Sequence, residues 1–311
     1  MKQSFAAMSS PIVSVVIPHL NQPEHLGRCL ASLTRQSFDL DRAEIIVVDN
    51  GSTELPTEIC AAFPGVILIQ EATPGPGPAR NLGVSQSRGQ ILAFIDADCT
   101  ADPGWLAAIA AVLNRPDYAQ IIGGDVRIAR RDPDRPTMLE AYESIYAYRQ
   151  EEYITRQGYS GTGNLAIRRE VYDAVGPFCG IERAEDHDWG QRATRLGFEI
   201  RYVPEMIVYH PARRSFDELR VKWDRHISHT FAEDAQGFSG RLHWLGRAMA
   251  VAGSPLFEAL RILTSRRVAT RRERWMAASI LVRIRLYRAG RMLAALGGGG
   301  IVDASRSWNR G

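Results

Sequence analysis

The sequence has few cysteines, and none is arranged for chemistry. Cys29, Cys60, Cys99 and Cys179 lie far apart and form no CxxC pair. That argues against a zinc ribbon, a dithiol centre or a disulfide framework, and it fits small packing residues in a reducing cytoplasm. The chain also lacks any run of about 18 uncharged apolar residues, the length a membrane-spanning helix needs. Its opening, MKQSFAAMSSPIVSVVIP, has no basic stretch followed by an apolar core and a small-residue cleavage site. Neither secretion nor a spanning helix is therefore expected, and a cytoplasmic location follows. No internal repeat is present, and LGGGG at 296–300 is the sole low-complexity patch.

What is present is an ordinary globular composition: 311 residues, 45% hydrophobic and 23% charged, enough for one large domain or a domain with an appendage. The formal charge of +3 hides an uneven distribution. Residues 241–311 carry 14 arginines against Glu258, Glu273 and Asp303, which leaves 24 basic and 32 acidic residues for 1–240. The end of the chain is a separate electrostatic object.

Short β-branched runs at 12–17, 44–49, 66–70 and 91–96 read as strands, with helical spacing between them, as in Leu26, Leu30 and Leu33. Such alternation predicts a mostly parallel sheet covered on both faces, with its ligand beyond the carboxyl ends of the strands. Pro18 to Asn21, Asp49 to Thr53, a glycine-proline stretch and Asp96 to Asp98 all fall at those ends. Beyond them the sequence predicts an aromatic helix carrying Leu139, Tyr142, Tyr146 and Tyr153. A loop and strand in GYSGTGNLAI, a helix from about Glu185 to Leu196 and strands in EIRYVPEMIVYH complete the pattern.

Several motifs carry chemistry, each beside a plainer reading. In FIDADCTADPGWL the acids Asp96 and Asp98 project to one side of an extended chain and suit a hard divalent ion; alternatively Asp98 or Asp102 caps the following helix. PGPGPARN leads into a helix whose amino end can face a phosphate, with Arg80 adding charge, or it is a stiff connecting loop. VVDNGST is a turn by composition, with Asp49 able to accept hydrogen bonds from a base or ribose. In AEDHDWGQRATRL, Asp186 shares a helix face with Trp189, and the acids either act in the cleft or only complement the helix dipole. A dipole lowers a carboxyl pKa, so a base at Asp186 needs burial to offset it. Trp105 and Trp189 are sugar platforms or core residues.

In order and spacing, VSVVIPHLNQ, IIVVDNGSTE, PGPGPARNLGV, AFIDADCTADPGWL, GTGNLAIRREVYDAVGPF, AEDHDWGQRATRLGF and YVPEMIVYHP resemble a family 2 glycosyltransferase over roughly residues 11–212. The resemblance implies a GT-A fold, a Rossmann-like mixed α/β sheet with helices on both faces. It also implies inverting transfer of a sugar from a nucleotide diphosphate sugar, a UDP-sugar by preference, to an acceptor hydroxyl with Mn2+ or Mg2+ as cofactor. By position, Pro18, Leu20, Asn21, Asp49, Gly51, Ser52, Arg80, Asn81, Asp96 and Ala97 would bind the donor. Asp98, Asp96 and His210 would hold the ion. Gly163, Asn164 and Trp189 would face the acceptor, and Asp186, with Glu185 beside it, would be the base. Leu20 stands where an aromatic is usual and Asn50 where a second aspartate is frequent. A metal-dependent nucleotide-sugar hydrolase and a non-catalytic nucleotide-sugar-binding scaffold are the alternative readings.

The expected organisation is a tail at 1–10, a catalytic domain at 11–215 and a basic helical extension at 216–311. In the extension Trp275, Ser279, Val282, Leu286, Ala289, Leu293 and Leu296 form an apolar stripe, with Arg283, Arg285, Arg288 and Arg291 on the remaining surface. One reading is peripheral association of residues 241–311 with an anionic membrane at the cytoplasmic face of the inner membrane, near a glycan or lipid-linked acceptor of the cell envelope. The other is packing on the catalytic domain or on a second subunit, a homodimer. No recognition motif supports nucleic acid as a partner.

Overall fold

The computed structural model describes residues 11–115, 118–132 and 134–297, so the tail expected at 1–10 lies outside them. The chain divides into two compact units. One holds residues up to Arg127 together with Tyr148–His210; the other holds Ile128–Ala147 together with residues from Pro211 onward.

In the first unit the β-branched runs form β1 (Val13–His19), β2 (Ala43–Asp49), β3 (Val66–Gln70) and β4 (Ile91–Ile95), parallel and in the spatial order β3-β2-β1-β4. The intervening helices are α1 (Pro23–Leu33), α2 (Thr57–Ala61) and α3 (Pro76–Ser85), and α4 (Trp105–Leu113) follows β4. Alternation along the strands covers both faces, because successive side chains point to opposite sides. Val13, Val15 and Ile17 share a core with Leu26, Leu30 and Leu33, whereas Val16, Ile46 and Phe94 share another with Ala79 and Val84.

The sheet extends through β5 (Thr100–Ala101), β6 (Ile121–Ala129), β7 (Asn164–Arg168) and β8 (Ile200–Pro211), in the full order β3-β2-β1-β4-β7-β6-β8-β5. β7 runs antiparallel to β4 and β6, and β5 antiparallel to β8, which makes the sheet mixed, as the GT-A expectation requires. The order reverses between β1 and β4, the switch point at which such sheets bind ligands. The stretch EIRYVPEMIVYH forms one strand of 12 residues rather than several.

The aromatic helix expected from Leu139 to Tyr153 is instead two helices, α5 (Met138–Tyr146) and α6 (Gln150–Gln157). Between them Tyr148 takes a positive φ of 48°, rare for a bulky residue, and no glycine or proline announces the break. Helices α7 (Arg169–Val175) and α8 (Glu185–Arg195) complete this unit.

The second unit is helical: α5 packs with α9 (Phe216–Asp234), α10 (Gly237–Thr264) and α11 (Arg271–Leu296). Its core joins Leu139, Tyr142 and Ile145 to Leu219, Ile262, Ile280 and Ile284. The inward face of α11 is therefore mostly not the expected stripe: Trp275, Val282, Leu286 and Leu293 are exposed and Ala289 is buried, while Ile280, Ile284, Arg288 and Met292 form the buried side. A helix apolar on both sides can satisfy one core and still leave an apolar surface. Among the described residues, no helix is long and apolar enough to cross a membrane.

Candidate active site

The carboxyl ends of β1 and β2 are joined by a buried polar knot. His19 ends β1, and its Nδ1 lies 2.9 Å from Asp49 Oδ1 at the end of β2. His19 Nε2 accepts the Gln22 amide at 3.2 Å, so the ring proton sits on Nδ1 and is donated to Asp49. The other Asp49 oxygen accepts the amides of Gly51 and Ser52 at 3.2 and 3.0 Å. Burial works to raise the Asp49 carboxyl, but the Ser52 hydroxyl, then His19 and the Ser52 amide, outweigh it and hold the group below its ordinary range. Asp49 is 1% exposed, so it orders the 49–53 turn from beneath. Asn21 stitches the same turn from the β1 side: its amide donates to Ser52 Oγ and its Oδ1 accepts the Thr53 amide, both at 2.8 Å. Pro18, Leu20 and Ser52 are half-buried, and Asn21 and Gly51 are exposed.

Asn50, the departure from a second aspartate, is a two-way clip. Its amide nitrogen donates to the carbonyls of Glu71 and Thr73 at 3.1 and 2.8 Å, and its oxygen accepts the Gly75 amide at 2.7 Å. An aspartate cannot donate to two carbonyls, so asparagine is the residue this loop requires.

The glycines of PGPGPARN serve close packing. A Cβ on Gly77 would lie 2.0 Å from the Cys179 carbonyl oxygen, and one on Gly75, at φ +121°, 2.5 Å from Ile181. Asn81 pins the same segment, exchanging hydrogen bonds with the amide and carbonyl of Phe178 and accepting one from the Tyr172 hydroxyl. The amino end of α3 is thus covered by residues 178–181.

Arg80, one turn into α3, is 2% exposed and bridges two acids. Its Nη2 donates to Asp96 Oδ1 at 2.7 Å and its Nη1 to Glu185 Oε1 at 2.9 Å. The bridge joins Asp96 at the strand end to the first turn of α8, where Asp186 sits half-buried. Burial, and then the Glu185 charge, raise the Asp186 carboxyl against the pull of the His187 amide and Arg80. Desolvation therefore wins over the helix end, the condition a base at this position needs. Gly163 closes the other side of Asp96, since a Cβ there would lie 2.5 Å from Asp96 Oδ2. Ala97 is buried beside the core.

Asp98 Oδ2 lies 3.2 Å from His210 Nε2, near the end of β8. Burial pushes the Asp98 carboxyl up, but the imidazole more than offsets it and the group ionises below its ordinary range. Asp98, Cys99 and His210 offer ligand atoms within 4.8 Å of one another. Burial and then the charges of Asp98 and Asp96 hold the Cys99 thiol well above its ordinary value, which disfavours a thiolate. Carboxylate and imidazole are the donors that fit a divalent ion here. The Tyr148 hydroxyl reaches His210 Nε2 at 2.9 Å, and the rings lie 4.4 Å apart. Tyr148 and His19 were not expected in the site: nothing in YAYRQ marks the break that aims Tyr148, and His19 was visible only as a polar residue at a strand end.

Two residues expected at the acceptor side lie in the interior. Asn164 is fully buried, accepting the Trp105 indole N–H at 2.8 Å and donating to the carbonyls of Asp125 and Met206 at 2.9 Å. Trp189 is 1% exposed, packs on Phe178 and donates to the Gly176 carbonyl at 2.9 Å. Neither presents a free face to a sugar.

Comparison with known proteins agrees with this geometry. The chain is 35% identical over 218 residues to glycosyltransferase AglE of Haloferax volcanii, covering 68% of this chain and 70% of that protein. It is 30% identical over 230 residues to glycosyltransferase GlyG of Streptococcus pneumoniae, covering 69% and 75%. Among solved structures, the mannosyltransferase PcManGT from Pyrobaculum calidifontis in complex with GDP-Man and Mn2+ shares the fold at a TM-score of 0.57 and 18% identity, over 93% of this chain and 87% of that one. Residues 1–349 of S. aureus TarS share it at 0.53 and 17%, over 92% and 91%. The model of glycosyl transferase family 2 matches residues 14–184. With the strand order, the bridged acids and these matches in agreement, the chain belongs to glycosyl transferase family 2 and is a glycosyltransferase.

Proposed function

We propose that the enzyme transfers a sugar with inversion from a UDP-sugar to an acceptor hydroxyl, with a divalent ion held by Asp98 and His210 and approached by Asp96. The Arg80 bridge is the observation that carries this reading, because it ties Asp96 to the helix that bears Asp186. Asp186 takes the acceptor proton as the acceptor oxygen forms its bond to the anomeric carbon; the bond from that carbon to the diphosphate breaks and leaves its electron pair on phosphate oxygen. Attack opposite the leaving group inverts the anomeric centre. An ion bound at Asp98 and His210 supplies a Lewis acid for the charge on the departing diphosphate. The imidazole among the donors favours Mn2+ over Mg2+, which prefers oxygen ligands. PcManGT was solved with Mn2+, and TarS has been solved with UDP-GlcNAc. The 49–53 turn and Asn21 are assigned to the nucleoside, and Gly163 keeps Asp96 in place.

Incubation with a panel of UDP- and GDP-sugars and Mn2+, with and without lipid-linked acceptors, tests the reading. Inverted transfer is expected from a UDP-sugar. Release of free sugar would mark a hydrolase, and no consumption a scaffold.

The helical unit is assigned to peripheral docking on an anionic membrane at its cytoplasmic side, close to envelope acceptors. Exposed Leu256, Phe257, Leu260 and Leu263 on α10 and Trp275 on α11 support this, flanked by exposed Arg266, Arg267, Arg271 and Arg272.

A further inference from the structure

We infer that the helical unit contains a binding site for a phosphoryl anion, formed by Arg285 and Arg288 of α11 with Tyr146 of α5 and Trp223 of α9. This goes beyond the transferase reading and does not depend on it.

The first observation is a cation without a counter-charge. Arg288 is only 9% exposed, and its guanidinium carbon lies 3.5 Å from the centre of the Trp223 ring, yet among the described residues no carboxylate pairs with it. Three acids on the helices around it are already engaged. Glu143 of α5 holds Arg213, and Asp224 of α9 takes the Tyr287 hydroxyl at 2.7 Å and Arg291 at 3.0 Å. Glu258 of α10 is shared between Arg261 at 3.4 Å and Arg285 at 3.6 Å. Among the described residues, Arg285 thus has only a share of Glu258, and Arg288 has no carboxylate. Burial, and then the charge of Arg285, lower the Arg288 pKa to about 10, as expected of a cation that lacks a partner.

The second observation is independent of charge. Four buried polar atoms of this cluster have no hydrogen-bond partner: Arg288 Nε, Arg285 Nε, Trp223 Nε1 and the Tyr146 hydroxyl. Each can donate, and buried donors are almost always satisfied in folded proteins. The cluster therefore lacks acceptors and negative charge together. A phosphoryl group supplies both, with three strong acceptor oxygens and about −1.5 to −2 of charge near neutral pH. Its charge meets that of Arg288 and of Arg285, which has only a share of Glu258. Guanidinium forks also match phosphate oxygens in pairs.

The test uses the full-length chain without added metal, titrated with inorganic phosphate against chloride at matched ionic strength. Calorimetry and thermal unfolding read the response. The wild type is expected to bind phosphate and gain thermal stability. Arg288→Met and Arg285→Met should bind it about tenfold or more weakly, and the exposed control Arg272→Met should respond as the wild type does. In phosphate-free buffer Arg288→Met should be at least as stable as the wild type, because it removes an unpaired buried charge. If Arg288→Met does not fold, Arg288→Lys, which keeps the charge and loses the fork, carries the same comparison. Phosphatidylcholine vesicles with and without phosphatidic acid separate the sources. Binding that needs both phosphatidic acid and Arg288 assigns the anion to a lipid headgroup, and a phosphate response without it assigns a soluble anion. An equal phosphate response in all variants, or none in the wild type, overturns the proposal and leaves Arg288 as a packing partner of Trp223. Nucleotide binding in the other unit should be the same in every variant, so a failed transferase reading and a failed anion site give different results.

Discussion

Asp186 carries the chemical proposal because burial overcomes the helix end on which it sits. Asp186→Asn should lower turnover by about 100-fold or more, the scale of a lost general base, while nucleotide binding by calorimetry stays intact. A base works only when deprotonated, so activity should fall as pH drops through a value above the ordinary aspartate range. Glu185→Gln removes the neighbouring negative charge that helps hold that value up, so the acid limb of kcat/KM should move to lower pH. Gly163 offers a second residue-scale test. The Cβ of Gly163→Ala would lie 2.5 Å from Asp96 Oδ2; the carboxylate must shift, at a stability cost of about 1–3 kcal/mol. Urea unfolding checks the cost, and a larger loss in transfer than in folding would locate the effect at Asp96. The carboxylates themselves were legible as a D-x-D at a strand end. The cation on Asp96 was not, because Arg80 reaches it from α3 and Glu185 lies 105 residues away from Arg80 along the chain.

At the scale of elements, the two ends of β2 are held by different chemistry. At its start Glu44 is 6% exposed and accepts the Ser14 hydroxyl at 2.6 Å and the Arg88 amide at 2.5 Å, with the Arg88 side chain at 3.2 Å. Burial raises its carboxyl, but these donors outweigh it and the group titrates below its ordinary value. A carboxyl lowered on folding contributes stability that is present above its unfolded pKa and lost as pH falls through the folded one. Glu44→Gln should therefore cost about 1–3 kcal/mol at neutral pH, and the gap from the wild type should narrow below about pH 4 in urea unfolding. At the other end, Asn50→Asp should be destabilising by a similar amount, about 1–3 kcal/mol. It would replace a donor to two carbonyls by a charge, although aspartate is frequent there in the family. Most elements were legible from alternation and helical spacing. The two-residue β5 was not, because it exists only by pairing with β8. The break between α5 and α6 was not either, because no local residue signals it.

At the scale of the molecule, each unit has its own core and its own electrostatics. If the exposed apolar residues and arginines of the helical unit meet an anionic bilayer, each arginine near the surface adds about 1 kcal/mol. Co-sedimentation of the full chain with anionic liposomes should weaken steeply with salt, since such attraction is screened over about 10 Å at 0.1 M. Replacing Leu256 and Phe257 by serine should weaken it at every salt concentration. Binding indifferent to both changes would end the membrane assignment.

By itself the sequence determined the alternating sheet, the family and the identity of the acids at the strand ends, because periodicity and short motifs are local properties of the chain. The tertiary structure decided which groups those acids meet: Arg80 on Asp96, His210 on Asp98, and His19 beneath Asp49. It also withdrew Asn164 and Trp189 into the core and turned a different face of α11 inward. These outcomes depend on burial and on partners distant in sequence. Both are set only when the chain is packed, since desolvation and hydrogen-bond satisfaction belong to the folded environment rather than to the residue.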